Sequence, residues 1–294
     1  ARVSGQRFAL YLDDSVELAA ALFGAWQAGK TICLPGDNLP ATCAGLRPKV
    51  DGYLGEFAIA WQPQVPVQDA AADLDAFHPL DPDFPGLVLY TSGSTPTPQS
   101  IPKRLAQLAA EVDTLEMQFG ALLGAADIAA TVSHQHIYGL LFKVLWPITA
   151  GRAIHAGSFS FFEGLSAALA QRESALVSSP AHLKRLRENS VPAPAIKRLK
   201  LVFSSGGPLA FEVALECQRI LGRLPVEVYG SSETGGIAWR QQAGRMNRSW
   251  RPFPGVHWRV DHASGVLEVR SEYLPSPGWF RTADRAGAAA GGGV

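Results

Sequence analysis

Apolar positions Val16, Leu18, Ala19, Leu22, Phe23 and Trp26 recur at helical spacing behind Asp14 and Glu17, a pair placed as in a capping box. The pattern predicts one amphipathic helix there. Between Gly36 and Pro85 the pattern dissolves. Scattered prolines interrupt two short apolar runs, and Pro79, Pro82 and Pro85 punctuate what reads as a connecting loop. Leu87-Val88-Leu89-Tyr90 then predicts a short buried strand, and Thr91 to Pro102 a polar loop. Leu105, Leu108, Ala109, Val112, Leu115, Phe119 and Leu122 follow as one face of a long helix. A second such unit runs from the strand Leu201-Val202-Phe203 through Ser204 to Pro208, into a helix near Ala210 to Leu221, and on to the strand Val226-Glu227-Val228-Tyr229. That spacing implies parallel pairing. It sets the loops Ser204 to Pro208 and Gly230 to Gly235 at carboxyl ends of strands, where open α/β sheets bind ligands. After Trp250 the pattern turns to alternation. Val256 to Val260, a turn at Asp261 to Gly265, and Val266 to Arg270 read as a β-hairpin in a separate small β unit. No internal repeat of fixed period is present.

These elements predict an α/β chain. Residues 1–249 form its core, with a connector near 63–86; residues 250–287 form part of a small β subdomain, and residues 288–294 an Ala/Gly-rich flexible tail. The chain has 294 residues, long enough to bury a sizeable core. Its 26 Lys and Arg balance its 26 Asp and Glu, which argues against a nucleic-acid partner recruited by bulk charge. Cys33, Cys43 and Cys217 are widely spaced and lack a C-x-x-C pair, so a disulfide framework or zinc cage is not expected and a reducing cytoplasm fits. The longest apolar stretch, Gly139 to Gly151, is broken by Lys143 and Pro147. It falls short of the roughly 20 residues that span a bilayer, so no membrane span is expected.

Two loops could carry chemistry. Tyr90-Thr91-Ser92-Gly93-Ser94-Thr95, between a strand and a helix, offers small hydroxyls and backbone N–H groups that can wrap phosphate oxygens; alone, it reads first as a Ser/Thr-rich turn. The Walker A pattern is absent. Tyr229-Gly230-Ser231-Ser232-Glu233-Thr234-Gly235 also follows a strand, and Glu233 among hydroxyls could hold a hard cation such as Mg²⁺ or be a solvated turn residue. The same run nearly matches the G-x-S-x-G nucleophile elbow, but Thr234 occupies the final glycine position.

Taken in order, these runs resemble those of the adenylate-forming enzymes, which include acyl-CoA synthetases, aryl-acid ligases, nonribosomal peptide adenylation domains and firefly luciferase. That family carries a Y-T-S-G-S-T-G-x-P-K phosphate loop, then G-G-x-P-L, Y-G-x-T-E and W-x-x-T-G-D. This sequence offers Tyr90 to Thr95, Gly206-Gly207-Pro208-Leu209, Tyr229 to Glu233, and Trp279-Phe280-Arg281-Thr282-Ala283-Asp284. The resemblance implies the family's large N-terminal domain, with two α/β subdomains of sheets flanked by helices and a small β-barrel-like subdomain. It further implies ATP and Mg²⁺ as cofactors and an AMP-forming acid–thiol ligase that makes an acyl-adenylate, releases pyrophosphate and passes the acyl group to coenzyme A or an acyl carrier protein.

Carried over by position, Thr91, Ser92, Gly93, Ser94 and Thr95 would cradle the ATP phosphates. Gly206, Gly207 and Pro208 would form one wall of the adenine slot and Tyr229 with Gly230 the other, Asp284 would accept from the ribose hydroxyls, and Glu233 would help hold Mg²⁺. Within Ser133-His134-Gln135-His136-Ile137-Tyr138-Gly139, His136 falls at the family's gate beside the acyl pocket; the bare H-x-H spacing could also suggest a metal ligand. Phe203, Ser205, Gly235, Gly236 and Ile237 are the remaining pocket candidates, the glycines leaving room for a flat ring, with Phe203 equally readable as strand core. An ionised carboxylate needs no general base to attack the α-phosphate, so positioning and charge neutralisation are the main tasks.

Several positions depart from the family's pattern. Pro96 stands where it has glycine and Gln99 where it has lysine, so Lys103 is the candidate replacement cation, with a solvated surface lysine as the alternative. Nothing after Gly287 resembles the family's mobile C-terminal lid, and the chain opens on Ala1; the resemblance therefore implies a lid-less piece that turns over weakly. The Gln99 replacement, the run His134 to Pro147 and the Trp-Arg-Gln run after Gly236 are similar to the small ligases of aryl polyene and xanthomonadin-type pigment pathways. That similarity implies an aryl acid such as a 3-hydroxybenzoate loaded onto an acyl carrier protein. A nucleotide-binding module without turnover and a fatty-acid ligase are the alternatives.

Overall fold

A computed structural model describes residues 5–58, 64–65, 77–91, 99–244 and 249–287. In the first part, β1 (Arg7–Tyr11), α1 (Ser15–Gln27), β2 (Thr31–Leu34), α2 (Pro40–Leu46), β3 (Gly52–Gly55), β4 (Gln64–Val65), β5 (Leu87–Thr91) and β6 (Gln99–Lys103) lead into α3 (Leu105–Leu123). The six strands form one sheet in the order β4-β3-β1-β2-β5-β6, parallel except for the antiparallel β5·β6 pair. The second part holds β7 (Asp127–Ala130), α4 (Ile137–Gly139), a π-helical stretch Leu140–Leu145, α5 (Trp146–Thr149), α6 (Phe162–Gln171), β8 (Ser174–Ser178), α7 (Pro180–Leu183), α8 (Ala193–Arg198), β9 (Leu199–Ser204), α9 (Phe211–Leu221), β10 (Val226–Ser231), β11 (Gly235–Arg240) and β12 (Arg251–Pro252). Its sheet runs β12-β11-β10-β9-β8-β7, with β7 to β10 parallel and β11 and β12 antiparallel. Among the described residues the small β unit is a three-stranded antiparallel sheet of β13 (His257–Val260), β14 (Val266–Arg270) and β15 (Phe280–Arg285).

Local chemistry explains most of these elements. Asp14 caps α1, its Oδ1 accepting from the amides of Val16 (2.8 Å) and Glu17 (3.1 Å), and the helix buries Leu18, Ala19, Leu22 and Trp26. Trp26 donates its indole N–H to the carbonyl of Gly86, tying α1 to the start of β5. The stretch read as loop up to Pro102 instead ends in β6. Gln99-Ser100-Ile101-Pro102-Lys103 lacks an apolar alternation, and Pro102 has no N–H to donate, but an edge strand tolerates both. The stretch between Gly36 and Pro85, where the sequence pattern dissolves, likewise holds α2, β3 and β4; part of it, with the tail 288–294, lies outside the described residues.

One continuous core joins the three sheets. Leu10, Leu34 and Leu89 from the first, Ile128, Val177 and Phe203 from the second, and Leu267 and Val269 from the small unit all belong to it. Phe119 of α3 sits at an aromatic junction, with ring centroids 5.2 Å from Phe203, 5.6 Å from Trp239 and 6.1 Å from Phe253. Helix α3 thereby fixes the second sheet against the chain that enters the small unit.

Lys143, in the π-helical stretch, is wholly buried and donates to Ser158 Oγ (2.9 Å) and the Ala156 carbonyl (3.4 Å). Burial pulls its pKa down to about 8. Because the unfolded chain holds this proton more tightly, the Lys143 contribution to stability rises with pH between about 8 and the ordinary lysine value. The stability difference between wild type and Lys143→Met is expected to shift in favour of wild type by about 3 kcal/mol over that window. Urea denaturation of both chains at pH 8 and at pH 10.5 measures it, with tyrosine and cysteine titration common to the two; a difference that does not change with pH would refute the assignment.

Candidate functional site

The segment between β7 and α4 is held from behind. His134 is buried, and its Nε2 lies 2.6 Å from the carbonyl of Leu12, which can only accept; Nδ1 therefore accepts from the Ser15 hydroxyl at 2.8 Å. Burial lowers the His134 pKa and so favours the neutral ring this bonding needs. Gln135 donates to the same Leu12 carbonyl. With both nitrogens of His134 engaged, the H-x-H pair is not a metal site. Among the described residues no group of three or more His, Cys, Asp or Glu could hold a metal ion. His136, released from these bonds, stands at a cavity wall and over Gly36, where an added Cβ would fall 2.9 Å from its Cε1.

That cavity encloses about 710 Å³. Its walls come from Glu111, Thr114 and Leu115 of α3, from Thr131, Ser133, His136, Tyr138 and Phe142, from Ser179 and His182, and from Ser205 and Gly206 beyond β9. Gly230, Gly235 and Gly236 of the β10–β11 hairpin close it together with Phe253 and Tyr273. Ser205 spends its hydroxyl on the carbonyl of Val228 at 2.8 Å, joining the loop after β9 to β10. The site thus lies at the carboxyl ends of the parallel strands β9 and β10, as the strand–loop spacing predicts.

The hairpin is tight for a steric reason. A Cβ on Gly230 would collide with the carbonyl of Gly235, and the β10–β11 register shifts at Tyr229/Gly230. Ser231 N donates to Thr234 Oγ1 (3.1 Å) and Thr234 N to Ser231 Oγ (3.3 Å), which leaves Ser232 and Glu233 at the tip. Tyr229 donates its hydroxyl to Asp284 Oδ2 at 2.6 Å, and its ring centroid lies 5.5 Å from that of Trp250. Burial and the Asp284 charge raise the Tyr229 pKa, so its phenol remains a donor at neutral pH.

The structure therefore brings His136, Ser205, Gly206, Gly230, Gly235 and Gly236 to one cavity, and joins Tyr229 to Asp284 by a hydrogen bond. Gly207 and Pro208 continue the exposed loop after Gly206. Phe203 and Ile237 are core residues, 0 % and 2 % exposed, and neither is among the cavity's lining residues: their strands turn these side chains into the aromatic junction and the sheet's packing face. Thr91 ends β5; Ser92, Gly93, Ser94 and Thr95 lie outside the described residues.

Lys103 is neither solvated nor displayed at the surface. It is 1 % exposed, and its ammonium donates to the carbonyls of Glu233 (3.3 Å) and Tyr273 (3.2 Å). In this arrangement it braces the Glu233 turn from beneath instead of presenting a free cation. Burial lowers its pKa, opposed by Glu111 and Glu233. The Glu233 carboxylate itself makes no hydrogen bond among the described residues. Mg²⁺ commonly takes only one or two carboxylates, with water and phosphate oxygens completing its shell, so a lone Glu233 fits that ion.

Glu111, Thr114 and Tyr273 escape a motif-based reading. Glu111 carries a signal all the same: it lies three residues after Leu108 and four before Leu115, a carboxyl on the apolar face of α3. Tyr273 donates to Thr114 Oγ1 at 2.6 Å, and burial pushes its phenol up to about 12.

The AMP-binding enzyme family matches residues 50–270. The chain is 32 % identical over 162 residues to a 4-coumarate–CoA ligase of Rhodobacter capsulatus, covering 53 % of this chain and 40 % of that protein. It is 27 % identical over 212 residues to a 4-chlorobenzoate–CoA ligase of an Arthrobacter species, covering 68 % and 38 %. It thus spans about two fifths of the length of these relatives. The fold superposes on o-succinylbenzoate CoA synthetase of Bacillus subtilis in complex with its acyl-adenylate intermediate, with a TM-score of 0.81 and 16 % identity over 99 % of this chain and 68 % of that one. The family match alone covers three quarters of the sequence, and the chain belongs to the AMP-binding enzymes.

Proposed function

We propose that this chain is the acid- and nucleotide-binding part of an AMP-forming acid–thiol ligase: it activates an aryl carboxylic acid with ATP to an acyl-adenylate and pyrophosphate, and the whole protein then transfers the acyl group to coenzyme A or an acyl carrier protein. The observation that carries this is the 710 Å³ cavity walled by Gly235 and Gly236, in the same hairpin as Tyr229, which is bonded to Asp284. Glycine walls admit a flat ring, and a phenol–carboxylate pair beside them suits an adenosine. The names of the 4-coumarate and 4-chlorobenzoate relatives support an aryl acid. Among acceptors, the resemblance to pigment-pathway ligases favours a carrier protein and a 3-hydroxybenzoate-type acid.

The chain's own groups divide the task. The acid enters the cavity past His136, where its carboxylate is already ionised and needs no base. Tyr229 and the loop Gly206-Gly207-Pro208 hold adenine, and Asp284 accepts from the ribose. Thr91 to Thr95 supply donors to the phosphates. Bound Mg²⁺, held by Glu233, would offset charge on the departing pyrophosphate. Lys103 acts indirectly, by fixing the Glu233 turn. The three buried cysteines are free thiols, which suits the cytoplasm. No described helix is long and apolar enough to cross a membrane.

Thermal denaturation with benzoyl-, 3-hydroxybenzoyl- or decanoyl-sulfamoyl-adenosine, stable mimics of acyl-adenylates, tests the proposal. At about 100 times the dissociation constant the aryl compounds should add about 2.7 kcal/mol, or a few degrees. Stabilisation by the decanoyl compound alone would move the function to fatty acids, and no shift with any of them would remove the nucleotide site.

A further inference from the structure

The cavity of about 710 Å³ has a second open space behind one of its walls. A groove of about 1070 Å³ runs between α3 and the chain of the small β unit, bordered by Ala110, Asp113 and Met117 on one side and by Pro254, His257 and Pro275 on the other. Thr114 and Tyr273 line both spaces, and among the described residues they are the two that both walls share. They are also bonded to each other, the Tyr273 hydroxyl donating to Thr114 Oγ1 at 2.6 Å. This pair is the partition between cavity and groove. It is anchored at both ends of Tyr273: the backbone carbonyl accepts from Gln107 Nε2 at 2.7 Å and Lys103 Nζ at 3.2 Å, both from buried side chains, and the phenol is held on α3. Tyr273 is 4 % exposed. An acid too long for the cavity would have to break the hydroxyl bond and displace a buried ring before its tail reached the groove, where Met117 is exposed.

We propose that Tyr273, held in place by Thr114, is a specificity-determining residue: it ends the acid cavity and confines the site to compact, single-ring acids, with the groove behind it as the space that long acids are denied. The inference rests on the acid-activating role proposed above and adds the length limit that separates an aryl acid from a long-chain one. Selectivity of this kind comes from obstruction. The wall raises the free energy of the longer acid and leaves the binding of the shorter one to the rest of the cavity. Thr114 acts through Tyr273 as a positioning residue, since its hydroxyl fixes the phenol across the gap.

The test is calorimetric titration of the chain with benzoyl-sulfamoyl-adenosine and with its 3- and 4-octyloxy derivatives, which keep the ring and add a flexible tail. Wild type is expected to bind the benzoyl compound about ten-fold or more tighter than either derivative. In Tyr273→Ala the wall is gone and cavity and groove join, so for at least one derivative that ratio should fall to about one or below. Because Tyr273→Ala truncates a buried ring and could unfold the chain, Thr114→Ala is the second variant. Thr114 is half-buried on α3, where alanine suits the helix, and losing its hydroxyl frees the phenol, so the ratio for the same derivative should fall by about three-fold or more. A purely structural role for the pair would weaken all three compounds alike and leave the ratios unchanged. Wild type that binds either derivative as tightly as the benzoyl compound, or ratios that stay at the wild-type value in every variant that folds, overturns the role of Tyr273. Failure of the benzoyl compound itself to bind wild type overturns the acid-activating role instead.

Discussion

Asp284→Ala is expected to weaken binding of benzoyl-sulfamoyl-adenosine by about 10- to 100-fold and to leave the melting temperature nearly unchanged. Asp284 is exposed on β15, and its contact with Tyr229 is a hydrogen bond at the surface, so the fold loses little. The ligand loses more. In the proposed site the carboxylate accepts from ribose hydroxyls, and hydrogen bonds to a charged group contribute about 1.5–3 kcal/mol each. Tyr229→Phe removes only the group that orients the carboxylate and should cost a smaller factor. Calorimetry on the three chains reads both effects, and an unchanged affinity in Asp284→Ala would take that residue out of the site.

Glu227→Ala acts on the fold itself and is expected to lower its stability sharply. Glu227 is 3 % exposed in β10 and faces Arg240 of β11 across the ladder. Arg240 donates Nε and Nη2 to the two carboxylate oxygens, both at 3.0 Å; Gln242 adds a bond to Oε1 at 2.7 Å, and the guanidinium lies 4.2 Å from the Trp250 ring centroid. Truncation removes the carboxylate and leaves a guanidinium of low exposure, a change that costs about 3–5 kcal/mol in comparable buried pairs. Because the Arg240 side chain is 16 % exposed, the lower figure applies, equivalent to several degrees in melting temperature. Glu227→Gln retains shape and part of the bonding and should cost less. Denaturant unfolding of the two variants distinguishes loss of the pair from loss of volume. Equal stability of Glu227→Ala and wild type would mean the pair contributes nothing. The same hairpin carries Tyr229, Gly230 and Gly235, so a loosened ladder should also weaken ligand binding.

The parts of this structure legible in the sequence are those set by short-range physics. Helix α1 declares itself through Asp14 and its apolar face, α3 through its run of leucines, and the β13–β14 hairpin through alternation about a turn at Asp261 to Gly265. The unit β9-α9-β10 implies its parallel pairing, and hence the end of the sheet at which the cavity opens. Strand β6 is hidden because an edge strand next to a Ser/Thr/Pro-rich loop needs neither alternation nor every N–H. The strands β3 and β4 are short and depend on pairing, β3 with β1 and β4 with β3, information that no local window contains.

The same division governs the site. Glycines and His136 are visible because their motifs fix backbone shape. Ile237 is adjacent in sequence to the pocket residue Gly236, but alternation along a strand turns neighbours to opposite faces; Phe203 sits within β9, packed in the aromatic junction, before the chain leaves the strand and reaches Ser205 at the cavity. Lys103 and Tyr273 are 170 residues apart and meet only through the packing of α3 against the chain leaving β14, which places the lysine ammonium on backbone carbonyls. Glu111 is detectable in principle as a charge on an apolar helix face, but its partner Gly236 lies 125 residues away.

The proposed function requires that the glycine-walled cavity and the Tyr229–Asp284 pair form one continuous binding site for an acyl-adenylate. A crystal structure of this chain with benzoyl-sulfamoyl-adenosine tests it most directly. The benzoyl ring is expected inside the cavity between His136 and Gly236, with the ribose hydroxyls on Asp284 and the adenine against Tyr229. A ligand bound with its ring outside an empty cavity, or with its adenosine away from Tyr229 and Asp284, would contradict it.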